Sequence, residues 1–342
     1  MSGTPARSRA ITVDRPGEHR LTEGPVPEPG PGEVRVRVAA AGICMSDREV
    51  YDGHRAPGYV RYPVVPGHEW SGTVEAVGAG VDPALTGRRT VAEGFRSCGS
   101  CDRCRSGETS LCTSGYDETG FTRPGAFADH VVLPARLLHP LADDADLRAA
   151  ALLEPAAVVA AAVRAGAPEP GERIAVVGAG TLGLLAVQLL AAASPGELTV
   201  IDPRDERARQ ALHFGASEAL APKEAAEVRG RYDLVVETAG ASTTAADACL
   251  LARRGGRVVL TGMFAPGAVG IDPVHLSLSQ LTVRSVFGAS SASWSYAVRA
   301  FTAGLLDPAA LITHEFPLER FAEAVALVGG GGAGTGKVLM RP

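Results

Sequence analysis

The chain is predicted to be an α/β protein of two parts: a β-rich N-terminal domain carrying metal ligands, and a doubly wound parallel sheet carrying a nucleotide. Three observations predict it. Short alternating apolar runs, separated by Gly and Pro, fill the residues up to about 155. Strands and helices then alternate to about residue 290, a rhythm that gives a parallel sheet with helices on both faces. Five of the six cysteines stand where a metal ion would use them.

The bulk properties narrow the setting. A length of 342 residues suits two domains. Hydrophobic content of 46% and charged content of 21% are those of an ordinary globular chain. The net charge of −5, with no basic block, argues against a nucleic-acid partner. The opening MSGTPARSRAITVDRPG lacks the apolar core of a signal peptide, so a cytoplasmic location is expected. Cysteines there are expected to be reduced metal ligands rather than disulfides. The uncharged run 174–193 is long enough to cross a bilayer. Gly178, Gly180 and Gly183 make it instead a strand, a turn and a buried helix, so no membrane partner is expected.

Along the chain, Pro25, Pro27, Pro29 and Pro31 mark a loop before the alternating strand 34–38, and 72–77 alternates likewise. Between these strands lie Cys44, in GICMSD, and His68-Glu69, in VVPGHEWSG. Cys44, His68 and either Glu69 or Glu154 could supply the three protein ligands of a catalytic zinc with an open position. His19, His130, His139, His213, His275 and His314 read as core or surface histidines. Ser46 can accept and pass on a proton; otherwise it is a turn serine. Cys98, Cys101, Cys104 and Cys112 form C-x2-C-x2-C-x7-C in a polar, Gly- and Ser-rich loop, the spacing of a structural zinc that holds the loop together. Cys249 reads as a small buried hydrophobe.

Residues 149–164 are a helical pattern interrupted at Glu154-Pro155, where a carboxylate in an apolar run needs a cation or a hydrogen-bond partner. Strands are expected at 174–177, 198–201, 234–236, 257–260 and 281–286, with helices to 193 and over 204–214. Gly178-Ala-Gly180-Thr181-Leu182-Gly183 matches G-x-G-x-x-G between a strand and a helix. Asp202 ends the next strand, where a carboxylate can bond both adenosine ribose hydroxyls and repel a 2′-phosphate. NAD is therefore favoured over NADP, although Arg204 and Arg207 stand close by. The run 331–337 (GGAGTGK) has P-loop spacing, but Val338 replaces the Ser or Thr and a strand comes next. Helices are expected over 293–303 and 318–328, and a last strand over 337–340.

Taken together, GICMSD, VVPGHEWSG, the four-cysteine loop, LLEP, GAGTLG, Asp202 and GKVLM resemble, in order and spacing, the zinc-dependent medium-chain alcohol/polyol dehydrogenases. The resemblance implies a GroES-like β-barrel catalytic domain (1–155), a Rossmann NAD-binding domain (156–290) and a C-terminal return to the catalytic domain (291–342). It implies that Cys44 and His68 bind catalytic zinc, with Glu69 and Glu154 exchanging as carboxylate ligands. Ser46 would begin a proton relay, Gly178, Gly180 and Gly183 would hold pyrophosphate, and Asp202 and Arg207 the adenosine end. Two positions depart from the family pattern: Met45 replaces a Gly, and Glu49 replaces a relay histidine for which His54 or water could substitute.

Within the family, GHEWSG, TGFTRPGAFADH, the LLEPAAV run and ITHEF look closest to the 2-deoxy-scyllo-inosamine dehydrogenases of aminoglycoside biosynthesis. The implied partner is a polyol or aminocyclitol, the implied assembly a homodimer or homotetramer. Sorbitol- and threonine-type or aminoglycoside-sugar dehydrogenases share the same zinc and NAD residues. A non-catalytic binding protein would be expected to lose Cys44, His68 or Ser46, and all three are present. Trp70, Tyr116, Phe121 and Trp294 are candidate pocket residues, and Asp117 and Glu118 candidate partners for an amine.

Overall fold

The computed structural model describes residues 7–264, 267–329 and 334–342. They divide into two compact units. The first runs up to Glu154 and takes in Ser290–Val298 and Asp307–Pro342; the second comprises Pro155–Ala289 and Arg299–Leu306.

The chain opens with an antiparallel hairpin of β1 (Arg7–Arg15) and β2 (Glu18–Pro25). β2 carries a single large apolar side chain, Leu21, and has no apolar alternation to mark it in sequence. Next come β3 (Glu33–Ile43), α1 (Met45–Asp52), β4 (Glu69–Val77) and β5 (Arg89–Ala92). They are followed by α2 (Asp102–Arg105), β6 (His130–Pro134), β7 (Leu138–Pro140), α3 (Leu147–Ala150) and α4 (Leu153–Gly166). The α/β portion is β8 (Arg173–Val177), α5 (Thr181–Ala191), β9 (Glu197–Ile201), α6 (Asp205–His213) and β10 (Glu218–Leu220). It continues with β11 (Tyr232–Glu237), α7 (Thr244–Leu251), β12 (Ala252–Leu260), α8 (Pro273–Ser279) and β13 (Thr282–Ser285). α9 (Ser291–Thr302), β14 (Ile312–Pro317), α10 (Phe321–Leu327) and β15 (Lys337–Arg341) close the chain.

In the first unit the main sheet has the order β14-β15-β3-β4-β5-β7, with β6 paired to β3. Strand β3 explains how a half-exposed strand delivers a buried ligand. Its first half alternates, with Val34, Val36 and Val38 inward and Arg37 outward. The register against β4 then shifts between Val38 and Ala40, and residues 40–43 are all buried. A bulge of this kind bends a strand and re-aims its next residues, and Cys44 comes directly after them. The core beneath contains Val36, Trp70, Phe127, Leu133 and Met340.

The second unit holds a six-stranded, all-parallel sheet of order β10-β9-β8-β11-β12-β13. Its central strands are buried on both faces, so they read as continuous apolar runs. The order reverses beside β8, the switch point at which such sheets bind ligands beyond their carboxyl ends.

Two sequence expectations change in detail, and a third falls partly outside the described residues. The helix expected over 318–328 is a 3-10 turn, Leu318–Arg320, followed by the short α10. The cysteine loop contains two short helical turns: α2, capped by the Cys101 sulfur, and a 3-10 turn, Thr109–Leu111, that ends at Cys112. Of the P-loop look-alike, residues 331–333 lie outside the described residues, and Lys337 opens a strand. Among the described residues, no helix is long and apolar enough to cross a membrane.

Candidate functional site

The first unit carries two groups of metal-ligating side chains. Within each, the ligand atoms lie within 4.8 Å of one another. One group is Cys98, Cys101, Cys104 and Cys112. The Cys98 and Cys104 sulfurs are 3.9 Å apart, matching the edge of about 3.8 Å of a tetrahedron with Zn–S bonds of about 2.3 Å. Backbone N–H groups of Ser100 and Cys101 point at Cys98 Sγ, from 3.4 and 3.3 Å. Hydrogen bonds from Ser100 and Ser114 pull the Cys98 thiol down to about 4. Bonds from Thr113 and Cys104 bring Cys101 to about 7, while burial pushes Cys104 up to about 11. A set with thiolate already favoured at some members suits zinc. Replacing Cys98 by serine should release one zinc per chain and leave this loop open to protease. Zinc content and limited proteolysis read both effects, and a fully metallated, protease-resistant C98S would refute the assignment.

The second group is Cys44, His68 and Glu69. Cys44 caps α1: its sulfur accepts from Ser46 N, and its own N–H donates to Asp47 in a capping box. His68 follows Gly67, whose φ is 97° and where a Cβ would stand 2.6 Å from Phe127. Only glycine fits that turn, and the turn brings His68 Nε2 to 3.2 Å from Cys44 Sγ. Asp47 lies beneath both. Its carboxylate accepts from Cys44 N at 2.9 Å and Gly67 N at 3.2 Å, and meets His68 Nδ1 at 3.3 Å. That partner fixes the ring so that Nε2 faces the thiol. Burial disfavours charge on His68, but Cys44 and Asp47 more than offset it and hold the imidazole well above its ordinary range. A site that pulls in a proton this strongly can exchange it for a metal cation. Thiolate, imidazole and carboxylate on one buried spot fit a catalytic zinc.

Ser46 Oγ is 2.8 Å from Cys44 Sγ, at the group's edge. Glu69 is buried and forms an ion pair with Lys337, itself buried. Glu154, at the start of α4, lies outside the three-ligand group. Burial pushes its carboxyl up to about 8, against the pull of His68. The structure thus puts Glu69 beside Cys44 and His68, with Glu154 outside that group but close enough for its carboxyl to feel His68 and Glu69. Of the other candidates, Asp117 accepts hydrogen bonds from Thr122 and Arg123. Trp70 and Trp294 are core residues, 3% exposed each. His54 is exposed just beyond the Gly53 cap of α1. Phe121 packs against His68 with centroids 4.7 Å apart and the rings tilted by 42°, and Tyr116 hydrogen-bonds to Glu118.

In the second unit, β8 ends at Val177 and the glycine turn begins. A Cβ on Gly183 would stand 1.8 Å from the Gly178 carbonyl oxygen, so helix and turn meet only through glycine. Gly180 caps α5 with no side chain, and nothing lies within 4 Å of its Cβ position. Thr181 and Leu182 form the first turn, so their N–H groups stand at the positive end of the helix. A pyrophosphate fits this cradle. The Asp202 carboxylate accepts from Ala179 N at 2.8 Å and from Arg204 N and Nε at 2.9 and 3.2 Å. These bonds lock it at the strand end and leave lone pairs for ribose hydroxyls. Burial and the neighbouring Arg204 push the Arg207 guanidinium below its ordinary range.

Sequence reasoning missed three residues here. From sequence, Asp47 has no assigned role, Lys337 reads only as the start of a strand, and Thr238 carries no motif. Thr238 Oγ1 donates to Val177 O and Gly178 O at 2.9 and 3.2 Å, pinning the glycine turn.

Comparison with known proteins agrees with this geometry. Residues 30–143 match the alcohol dehydrogenase GroES-like domain, and residues 181–303 the zinc-binding dehydrogenase domain. The chain is 32% identical to an L-threonine 3-dehydrogenase of Bacillus subtilis over 94% of each chain. It is 30% identical to a sorbitol dehydrogenase of Halalkalibacterium halodurans, covering 95% of this chain and 96% of that one. A crystal structure of an alcohol dehydrogenase (rspB) from E. coli CFT073, complexed with NADH, superposes with a TM-score of 0.91 at 30% identity, covering 98% and 99%. The chain therefore belongs to the zinc-dependent medium-chain alcohol/polyol dehydrogenase family, oxidoreductases of CH–OH groups that use zinc and a nicotinamide dinucleotide.

Proposed function

We propose that the enzyme oxidises a secondary ring hydroxyl of an aminocyclitol, 2-deoxy-scyllo-inosamine, to a ketone, as a step of aminoglycoside biosynthesis. The observation that carries this reading is Glu118, a buried carboxyl whose charge is felt at His68 and Glu154. A substrate that carries an amine on the ring, away from its reacting hydroxyl, would find in Glu118 and Tyr116 a carboxyl and a hydroxyl to meet it. The relatives named for threonine and sorbitol act, by those names, on an amino alcohol and a polyol, the two characters an aminocyclitol combines.

When bound, zinc acts as a Lewis acid on the substrate hydroxyl and NAD accepts the hydride. The chain's residues do the rest. Cys44, His68 and Glu69 hold the metal, and Asp47 keeps His68 oriented toward it. Ser46 Oγ takes the hydroxyl proton, its position fixed by the Cys44 cap. The glycine turn and α5 hold the pyrophosphate, while Asp202 and Arg207 hold the adenosine end. Replacing Ser46 by alanine should lower kcat by about 10²-fold or more with both zinc ions retained. Unchanged turnover would remove Ser46 from the proton path.

The direct test is NADH formation by zinc-loaded enzyme with NAD on 2-deoxy-scyllo-inosamine, sorbitol, threonine and simple alcohols. A higher kcat/KM for the aminocyclitol is expected. Preference for threonine or sorbitol would keep the chemistry and discard the antibiotic setting.

A further inference from the structure

Arg55 is a strongly buried cation near the metal group that the reaction leaves unused. Its side chain is 10% exposed, and its guanidinium lies over the Phe121 ring at 4.4 Å. The same ring packs against His68 at a tilt, so Arg55 stands one aromatic ring away from a metal ligand. Nη1 reaches Glu49 and Nη2 reaches Tyr116 Oη, each at 3.4 Å. Tyr116 Oη in turn donates to Glu118. Arg55 Nε is buried without a hydrogen-bond partner. An orphaned buried donor destabilises a fold, and this one is kept close to the metal group. Burial lowers the guanidinium's affinity for its proton, but Tyr116, Glu118 and Glu49 more than restore it, so the cation is retained.

We propose that Arg55 and Glu118, bridged by Tyr116, are specificity-determining residues that bind two neighbouring hydroxyl or amino groups on the substrate carbons remote from the one oxidised. Nε is the guanidinium nitrogen left without a partner among the described residues, and Glu118, bridged through Tyr116, is the acceptor on its side of the site. A polyhydroxylated ring supplies the complement, because each hydroxyl both accepts and donates. The charges also exclude. Two carboxylates, Glu49 and Glu118, already act on one guanidinium. A substrate phosphate or carboxylate brought to this guanidinium would also face the Glu49 carboxylate already paired with it and is disfavoured, whereas a hydroxyl or ammonium is not. The substrate class is therefore a neutral or cationic cyclic polyol. This rests on the alcohol-oxidising reading above and extends it from the reacting carbon to the rest of the ring.

The experiment compares kcat/KM for myo-inositol, 2-deoxy-scyllo-inosamine, inositol 1-phosphate and cyclohexanol, the last being the bare ring. The zinc-loaded enzymes are wild type, Arg55→Met, Glu118→Gln and Tyr116→Phe. Wild type should prefer an uncharged or amino ring polyol to both the phosphate and cyclohexanol. Each of R55M and E118Q should lower the ratio of polyol to cyclohexanol kcat/KM by about tenfold or more, chiefly through KM. Y116F keeps the ring packing, guards against a folding defect in the other two, and should lower the ratio by about threefold or more. A ratio unchanged within about twofold in the three variants, or a wild-type preference for the phosphate, overturns the proposal. So does a wild type that oxidises no ring polyol. If wild type takes inositol but not the aminocyclitol, and the variants lose inositol, the pair stands and the aminoglycoside reading alone falls.

Discussion

Replacing Asp47 by alanine is expected to cost the enzyme its catalytic zinc and much of its stability together. Asp47 is fully buried and accepts from the backbone of Cys44 and Gly67 while holding His68 Nδ1. Removing it orphans three buried donors at once. Each unsatisfied group costs about 1–3 kcal/mol, so the loss should reach about 3 kcal/mol or more. His68 also loses the partner that sets its ring, and such outer partners are worth about 10–100-fold in metal affinity. After dialysis against a mild chelator, D47A should hold one zinc per chain where wild type holds two, with a depressed melting temperature. Two retained zinc ions and an unchanged melting point would show that Asp47 supports neither ligand.

The second large effect is expected at Lys337. Its ammonium and the Glu69 carboxylate form an ion pair buried on both sides, 5% and 3% exposed. Taking one charge from such a pair typically costs about 3–5 kcal/mol, because the other is left buried and uncompensated. Lys337→Met should therefore lower the melting temperature by roughly 10 °C. Adding Glu69→Gln should recover part of that loss, since the stranded charge is then gone. Equal stability of K337M and wild type, or a double variant with strictly additive losses, would show that the pair is not coupled. Zinc content measured on the same samples separates the two jobs of Glu69, as ion-pair partner and as metal-site carboxylate.

Much of this site was legible in the sequence because its parts are local. The four cysteines, the glycine turn and GHE each place several functional groups within a few residues, and the chemistry of zinc and pyrophosphate dictates those spacings. The parallel sheet was legible because strands buried on both faces are uniformly apolar. The parts that escaped reading are long-range. Asp47 and Gly67 meet across 20 residues and Lys337 and Glu69 across 268, and neither pair leaves a pattern in the chain between. Arg55 looked like one arginine among many, since nothing nearby announces that it will be buried. Asp117 and Glu118 show the limit from the other side. Adjacent and chemically alike, they turn opposite ways, because Arg123 and Thr122 hold one while Tyr116 holds the other.

The distance in chain between Glu69 and Lys337 sets an order of events in the making of the protein. Strand β15 pairs between β14 and β3, so the sheet that carries Cys44 lacks a neighbour until those late residues leave the ribosome. At about 5–20 residues per second, Glu69 is synthesised roughly 15–50 s before its counterion. During that interval the nascent first unit holds an unmatched carboxylate and an open sheet edge, while β8 to β13 can complete their own sheet. Early zinc capture by Cys98–Cys112 would brace the waiting half. A cell short of zinc would then be expected to lose this enzyme to proteolysis during its synthesis, before any mature protein is damaged.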